Sequence, residues 1–346
     1  MPTTLEILNP LDHEEWDTLL PRNDSLTFFH TAAWAKTLHE SYRYNPVYVT
    51  KVADDRFHAI IPMMEINSHL TGKRGVSLPF TDYCEPIIDE NVSFQDVFGH
   101  IISYGKKKRW KYLELRGGER FLQDISPSTQ FFGHTLDLSQ GEGQVFSKLR
   151  SNIKRNIKKA QKESVSVDFF NTSESIEEYY RLHCLTRKRQ GVPPQPLYFF
   201  RKIHDHVISR NLGFITLASY RDRNIAGAVF FHYRKKLLFK FGASDTEYQQ
   251  TGANNLIMQE AIRWGCQNGY TSLCFGRTDL EHQGLRRFKS GWGATESIIG
   301  YYKYDLQKNT FVKDIPTIKP VHNKILRKMP ISILKAMGSL LYKHIG

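Results

Sequence analysis

The stretch that decides the fold runs from Gly213 to Phe275. It reads GFITLAS (Gly213 to Ser219), IAGAVFFHY (Ile225 to Tyr233), LLFKFGA (Leu237 to Ala243), the loop SDTEYQQTG (Ser244 to Gly252), a helical segment from Asn254 to Cys266, and TSLCF (Thr271 to Phe275). The first three segments are rich in β-branched and aromatic residues, and Asp222 to Asn224 and Arg234 to Lys236 supply turns between them, so they read as consecutive strands. Asn268 and Gly269 are the residues that end a helix before a new strand begins.

Working outward, VSVDFF (Val165 to Phe170) reads as a strand, and Ser175 with Glu178 reads as the capping box of a helix that GVPPQP (Gly191 to Pro196) stops. A second helix is expected from Leu197 to about Arg210. Downstream come a short helix at Gly284 to Lys289 and a strand near Ser297 to Tyr304. The first half runs in a similar order: helices near His13 to Leu20 and Thr31 to Tyr42, strands PVYVTKV, FHAIIPMMEI and GVSLP, a helix near Phe94 to Lys107, then strands YLELR and FFGHTLDL. Matching elements lie about 160 residues apart, which implies two copies of one unit. The expected class is α+β, with tandem domains at residues 1–145 and 165–310, each a mostly antiparallel sheet flanked by helices. A basic linking helix at 146–164 and a basic amphipathic tail at 311–346 complete the division.

The 346 residues carry a formal net charge of +13, which favours an anionic partner such as a phosphate, nucleotide or acidic membrane. Cys84, Cys184, Cys266 and Cys274 have no C-x-x-C spacing and read as reduced core thiols. His204 and His206 lie two apart on a predicted helix and do not share a face, so no metal site is expected. The start MPTTLEILNP lacks a basic, then apolar leader, and Met329 to Tyr342 is shorter than the roughly 20 residues that a bilayer span needs. The expected location is cytoplasmic, with possible peripheral contact with the inner face of the membrane. In the tail, Lys319, Lys324, Arg327, Lys328, Lys335 and Lys343 accompany an apolar line of Ile325, Met329, Ile333, Ala336 and Leu340. That line fits either an anionic membrane or packing on the first domain.

In FSKLRSNIKRNIKKAQK (Phe146 to Lys162), Phe146, Leu149, Ile153, Ile157 and Ala160 fall on one helical face, while Lys148, Arg150, Lys154, Arg155, Lys158, Lys159 and Lys162 cover the rest with no acid among them. An anion would relieve their mutual repulsion, which makes Arg150, Lys154 and Arg155 candidate substrate contacts; a solvated helix face is the structural alternative. The loop Gln249, Gln250, Thr251, Gly252, Ala253, Asn254 leads into a helix, a place where free N–H groups can cradle a pyrophosphate; a plain N-cap at Asn254 is the structural alternative.

The run FGRTDLEHQGLRRFKSGWGA (Phe275 to Ala294) resembles the Fem family of peptidyltransferases and related GNAT-like acyltransferases of envelope polysaccharide pathways. Its "G…D…GL..FK..WGA" pattern is matched by Gly276, Asp279, Gly284, Leu285, Phe288, Lys289, Trp292, Gly293 and Ala294. SLPFTDYCEPIID, FFHTAAWAKTL and SNIKRNIKKAQKE resemble other pieces of the same family, so the likeness covers most of residues 25 to 305. The element order above is that of the GNAT fold. The resemblance implies transfer of an acyl or aminoacyl group to an amine of an envelope precursor, an amino sugar or a peptidoglycan peptide. It implies acyl-CoA or aminoacyl-tRNA as co-substrate, with no tightly bound cofactor. It places Phe288 and Lys289 in the catalytic cleft, and it makes Gln249, Gly252 and Asn254 the coenzyme A loop, although Asn254 stands where that loop has Gly or Ala. The helical arm of some Fem members has no counterpart here, which weighs against tRNA.

An amine attacking an ester or thioester needs a proton acceptor, and the tetrahedral intermediate needs donors for its oxyanion. Lys289 is the candidate cation, with a plain surface role as the alternative. Asp279 and Glu281 are the candidate bases, with Asp82 arriving from the first copy and a cap of the short helix as the alternative for Asp279, and Tyr83 is a candidate to stack on a sugar or base. Arg277 and Arg286 suit phosphate better than proton transfer. Three functions follow: an N-acyltransferase, an aminoacyl-tRNA-dependent peptidyltransferase of peptidoglycan bridges, or a non-catalytic module for anionic polymer or membrane. The acceptor expected for the first two is phosphate-bearing or lipid-linked.

Overall fold

A computed structural model describes residues 4–313 and 322–346. Two compact units emerge: Met1–Phe131, Ile298–Ile318 and Leu341–Gly346 form one, Phe132–Ser297 and Lys319–Leu340 the other. In chain order the first carries β1 (Glu6–Leu8), α1 (Trp16–Leu19), α2 (Ala32–Tyr42), β2 (Asn45–Pro46), β3 (Tyr48–Ala53), β4 (Arg56–Ile61), β5 (Met64–Ser68), β6 (Gly72–Val76), β7 (Ile87–Ile88), α3 (Phe94–Lys107) and β8 (Tyr112–Arg116). The chain enters the second unit within β9 (Thr129–Asp137) and continues through α4 (Gly141–Ser147), α5 (Ser151–Lys162), β10 (Ser166–Phe170), α6 (Ser173–Gln190) and α7 (Leu197–Ile203). The meander β11 (Gly213–Tyr220), β12 (Arg223–Tyr233) and β13 (Lys236–Ser244) follows, then α8 (Ala253–Gln267), β14 (Ser272–Asp279) and α9 (Gln283–Gly291). The chain returns within β15 (Thr295–Asp305), with β16 (Thr310–Val312), α10 (His322–Lys328) and α11 (Ile331–Ile345) after it.

In the first unit, β1-β3-β4-β7 form one sheet, and β2, β5, β6, β8 and β15 follow one another in a second, with β16 on β15. FHAIIPMMEI, expected as one strand, is two. Pro62 has no N–H for a ladder, the chain breaks there, and β4 and β5 join different sheets. The helix expected at His13 to Leu20 shortens to Trp16–Leu19. α3 has its expected bounds, capped by the Ser93 hydroxyl on the Asp96 amide, and buries Val97 and Ile101 in a core with Val49, Ile61, Leu113 and Tyr302.

The second unit orders its strands β10-β11-β12-β13-β14-β9. Alternation decides its two faces. Phe214, Ala228 and Phe230 join the core that α8 closes, while Phe231 and Phe241 meet ring edges from Phe199 and each other opposite. A parallel pair occurs in each unit, β6 with β8 and β13 with β14, and in each the unit's main helix, α3 or α8, lies between the two strands in sequence. Parallel neighbours require such a crossover, and its recurrence is the structural form of the repeat.

Several expectations move. The basic stretch at 146–164 is not a free-standing linker. It is two helices, α4 and α5, broken where Arg150 is extended (φ −62, ψ 148), and Leu149, Ile153, Ile157 and Ala160 are buried in the second unit's core. The boundaries at 145 and 310 shift accordingly, since the second unit begins at Phe132 and the strand after α9 passes to the first unit at Ile298. Thr172, rather than Ser175, caps α6: its hydroxyl accepts from the Ser175 amide at 3.3 Å, and Glu178 instead pairs with Arg181. The helix from Leu197 ends in a π-turn over His204–Ile208. Of the tail expected from residue 311, Phe311 and Val312 belong to β16, and Lys319 lies outside the described residues.

Candidate functional site

The second unit opens along a fork. β13 and β14 pair over three rungs only, Lys236 to Leu238 with Ser272 to Cys274, although β13 continues to Ser244 and β14 to Asp279. Just past the last rung β13 carries a bulge: Val229 faces Phe241 and Phe230 faces Phe239, leaving Lys240 as the extra residue. Two residues two apart on a regular strand share a face. The extra residue separates them, so Phe239 meets Phe230 and Phe275 while Phe241 meets Phe231 and Phe200. The fork holds a cavity of about 320 Å³ walled by Gly227, Ala228, Phe239, Gly242 and Ser244 of the sheet, Thr186, Arg189 and Gln190 of α6, Asn254, Ile257 and Met258 of α8, and Leu285 and Phe288 of α9. The Thr186 hydroxyl donates to the Ser244 carbonyl at 3.1 Å and accepts from its amide at 2.9 Å, which closes the end of β13.

The Phe-Lys pair of the motif divides its work. Phe288 lines the cavity and lies edge-on to Trp292. Lys289, one position on, points away and is 2% exposed. Its ammonium donates to the carbonyls of Gly276 at 2.8 Å and Arg277 at 3.0 Å, tying α9 to the unpaired end of β14. Gly276 has φ +69, a conformation that favours glycine. The surface role weighed for Lys289 is thus corrected: its side chain is a buried clamp.

Behind it lies a group that sequence reading missed. His134 is fully buried, with Nε2 3.1 Å from Glu296. Burial and the Lys289 charge hold its imidazole below the ordinary value. Arg286 grips Glu296 with two bonds of 2.7 Å and stacks on Phe132, and that grip lowers the Glu296 carboxyl. Arg286, expected to contact phosphate, is therefore committed to a carboxylate. No local spacing signals a partner ten residues on or a histidine on another strand.

Asp279 and Glu281 do not reach the fork cavity. They edge a separate open hollow with His282 and Gly284. The cap of α9 is His282, whose ring accepts from the Leu285 amide, and not Asp279. In the 249–254 loop, Gln249 is exposed and Asn254 lies on the cavity wall. The N-cap of α8 is Gly252 (φ +82), not Asn254. A Cβ on Gly252 would run into the Asn156 carbonyl of α5, and the Ala253 amide already donates to the Thr251 hydroxyl at 3.3 Å. Close helix packing thus accounts for this glycine. Arg150, Lys154 and Arg155 are exposed on α5, with Lys154 donating to the Ser147 carbonyl.

In the first unit, Asp82 and Tyr83 belong to a loop under backbone strain, since Leu78 and Phe80 have φ of 52 and 60. The loop is held by the Thr81 hydroxyl and Arg116 on the Leu78 carbonyl, and by the Tyr301 hydroxyl on the Asp82 carbonyl. Burial and Glu85 push the Tyr83 phenol well above its ordinary value. Among the described residues, no group of three or more His, Cys, Asp or Glu is placed to hold a metal ion.

Residues 147–290 match the acetyltransferase (GNAT) domain family. A lipid II:glycine glycyltransferase of Staphylococcus saprophyticus is 31% identical over 130 residues, which cover 35% of this chain and 31% of that protein. The chain thus spans about a third of the length of the curated relatives it matches. Among solved structures, FemX aligns with a TM-score of 0.67 at 13% identity, covering 88% of this chain and 98% of the other. A tandem GNAT protein from the clavulanic acid biosynthesis pathway aligns at 0.52 with 8% identity, again over 88% and 98%. These likenesses show a mixed α/β fold of tandem GNAT type. Residues 147–290 thus carry a match to the GNAT acetyltransferase domain, and the chain shares the fold of FemX and of the tandem GNAT protein while resembling the lipid II:glycine glycyltransferases over about a third of its length.

Proposed function

We propose that this protein is an N-acyltransferase that moves an acyl group from an activated donor to an amine on a cell-envelope precursor. The observation that carries this reading is the fork. From Phe239 onward β13 has no partner strand on the β14 side, so its amides can receive an extended donor and the oxyanion formed when the amine adds to the carbonyl. The C–N bond forms, the bond to sulfur or oxygen breaks, and the proton lost by the amine passes to the leaving group through solvent. Lys289 acts from behind, fixing the carbonyls that shape β14.

The donor in this reading is a CoA thioester, whose narrow arm suits walls of glycine and alanine. A charged tRNA is the second reading, because Thr251 and Asn156 already occupy two positions where a pyrophosphate would close on the 249–254 loop. The acceptor is a phosphate-bearing or lipid-linked envelope precursor, in line with the lipid II named for the relatives and with the basic face of α5. Incubation of the protein with amino-sugar nucleotides or lipid-linked peptide, and with either acetyl-CoA or glycyl-tRNA, is expected to yield an amide product by mass spectrometry. The reading fails if no donor is consumed and none shifts the melting temperature.

No helix among the described residues is long and apolar enough to cross a membrane. Peripheral docking is part of the proposal. α11 turns Leu334 and Gly338 inward and leaves Ile333 49% and Leu340 66% exposed, and Lys324, Arg327 and Lys328 of the preceding α10 are exposed as well. Each basic residue near an anionic surface contributes roughly 1 kcal/mol. Vesicles containing phosphatidylglycerol are expected to sediment the protein at low salt, and a double Ile333→Asp, Leu340→Asp variant should stay in solution. Equal sedimentation with purely zwitterionic vesicles would refute this.

A further inference from the structure

We infer that the fork cavity selects an acyl group that carries no ammonium, one that is uncharged or anionic. The inference rests on the acyl-transfer reading and narrows its substrate class. Among the described residues lining the cavity, Arg189 is the charged one, and no Asp or Glu faces it. The rest of the wall is uncharged: glycine, alanine and apolar side chains such as Phe239, Ile257 and Phe288, with Thr186, Gln190, Ser244 and Asn254 as its neutral polar groups. An ammonium entering this space gives up its water and finds no carboxylate to replace it, a loss that buried cations avoid by pairing. It also meets, at the mouth of the cavity, the like charge of Arg189, whose guanidinium is steadied by the Thr246 hydroxyl at 3.3 Å. An alkyl chain meets neither penalty, and a terminal carboxylate gains a partner in Arg189.

Size permits more than acetyl. A dry cavity of about 150 Å³ accommodates benzene, and this one is about 320 Å³. The limits are set by glycines and alanines that a single added side chain would close. At Gly242 a Cβ would lie 2.6 Å from the Phe239 ring, which also lines the cavity, so the wall leaves little spare room on that side.

The test is a matched donor series on the full-length protein. Butyryl, succinyl and β-alanyl thioesters of coenzyme A differ in charge at similar length, and glycyl-tRNA with N-acetylglycyl-tRNA repeats the comparison on the other carrier. On whichever carrier is used, the donors without an ammonium are expected to exceed the cationic one by 100-fold or more in kcat/KM. Arg189→Glu, a change at an exposed position, should narrow that ratio at least 10-fold by raising use of β-alanyl and lowering use of succinyl. Equal or better use of the cationic donor overturns the inference and leaves acyl transfer standing, as does a ratio that Arg189→Glu does not move. No transfer from any donor removes the acyl-transfer reading, and this inference with it.

Discussion

Replacement of Lys289 by methionine is expected to cut the transfer rate by 100-fold or more and to lower the free energy of unfolding by about 2 to 4 kcal/mol. Methionine nearly matches the lysine stem in length and fills the same channel, so packing is largely kept. What disappears is the ammonium that serves the carbonyls of Gly276 and Arg277. Leaving such buried acceptors unsatisfied costs about 1 to 3 kcal/mol each, and hydrogen bonds to a charged donor lie at the upper end. The loss reaches the fork because α9 carries both Lys289 and Phe288. When the clamp is gone, the end of β14 and the Phe288 wall lose their common anchor. Urea unfolding measures the stability term, and single-turnover transfer measures the rate. A variant with the stability and rate of the unchanged protein would refute the assigned role. Arginine should not rescue, since its planar fork is larger and the channel leaves 2% of the residue exposed.

How much of this was legible beforehand depends on the range of the forces involved. The β11 to β13 meander and α8 were readable because alternation, turn residues and a glycine stop are local, and so was α3 with its serine cap. The repeat was readable as a spacing, and its parallel pairs give that spacing a topology. The break at Pro62 was available in the sequence, yet the apolar run from Ala59 to Met64 on either side of it masks it. Arg150 is harder to read, because the helical face of Phe146, Leu149 and Ile153 remains in phase across the break. Nothing local marks Lys240 as an extra residue, since a bulge shows only against the neighbouring strand. The His134, Glu296 and Arg286 group is invisible for the same reason. Motif reading brought Phe288 and Lys289 together but assigned both to the cleft, whereas the helix turn between them sends one to the cavity and the other into the core.

Acidification is expected to weaken the fold well above the range where carboxylates titrate, and His183 is the main reason. It is buried on α6 between Tyr179, Tyr180 and Phe200, and its Nε2 is 2.9 Å from the Gln195 amide oxygen. Burial, helped by the Arg187 charge, pushes the imidazole down to about 3. The unfolded chain protonates it near 6.5. Above that value both states are neutral at this position and it has no effect. Between about 6.5 and 3 the unfolded state holds a proton that the native state refuses, so stability falls as pH falls, by about 1 to 1.5 kcal/mol per pH unit. Below 3 both states are protonated and the penalty stops growing. From pH 7 to pH 5 the contribution is about 2 kcal/mol, and the downward-shifted His134 and His232 add to it with the same sign. His183→Gln keeps a partner for Gln195 but cannot take a proton. Urea titrations at pH 7, 6 and 5 should therefore show a steep decline for the native protein and a shallower one for the variant. Parallel profiles would mean that His183 is already protonated in the folded state, and with it that the aromatic cage under α6 is wetter than its packing implies.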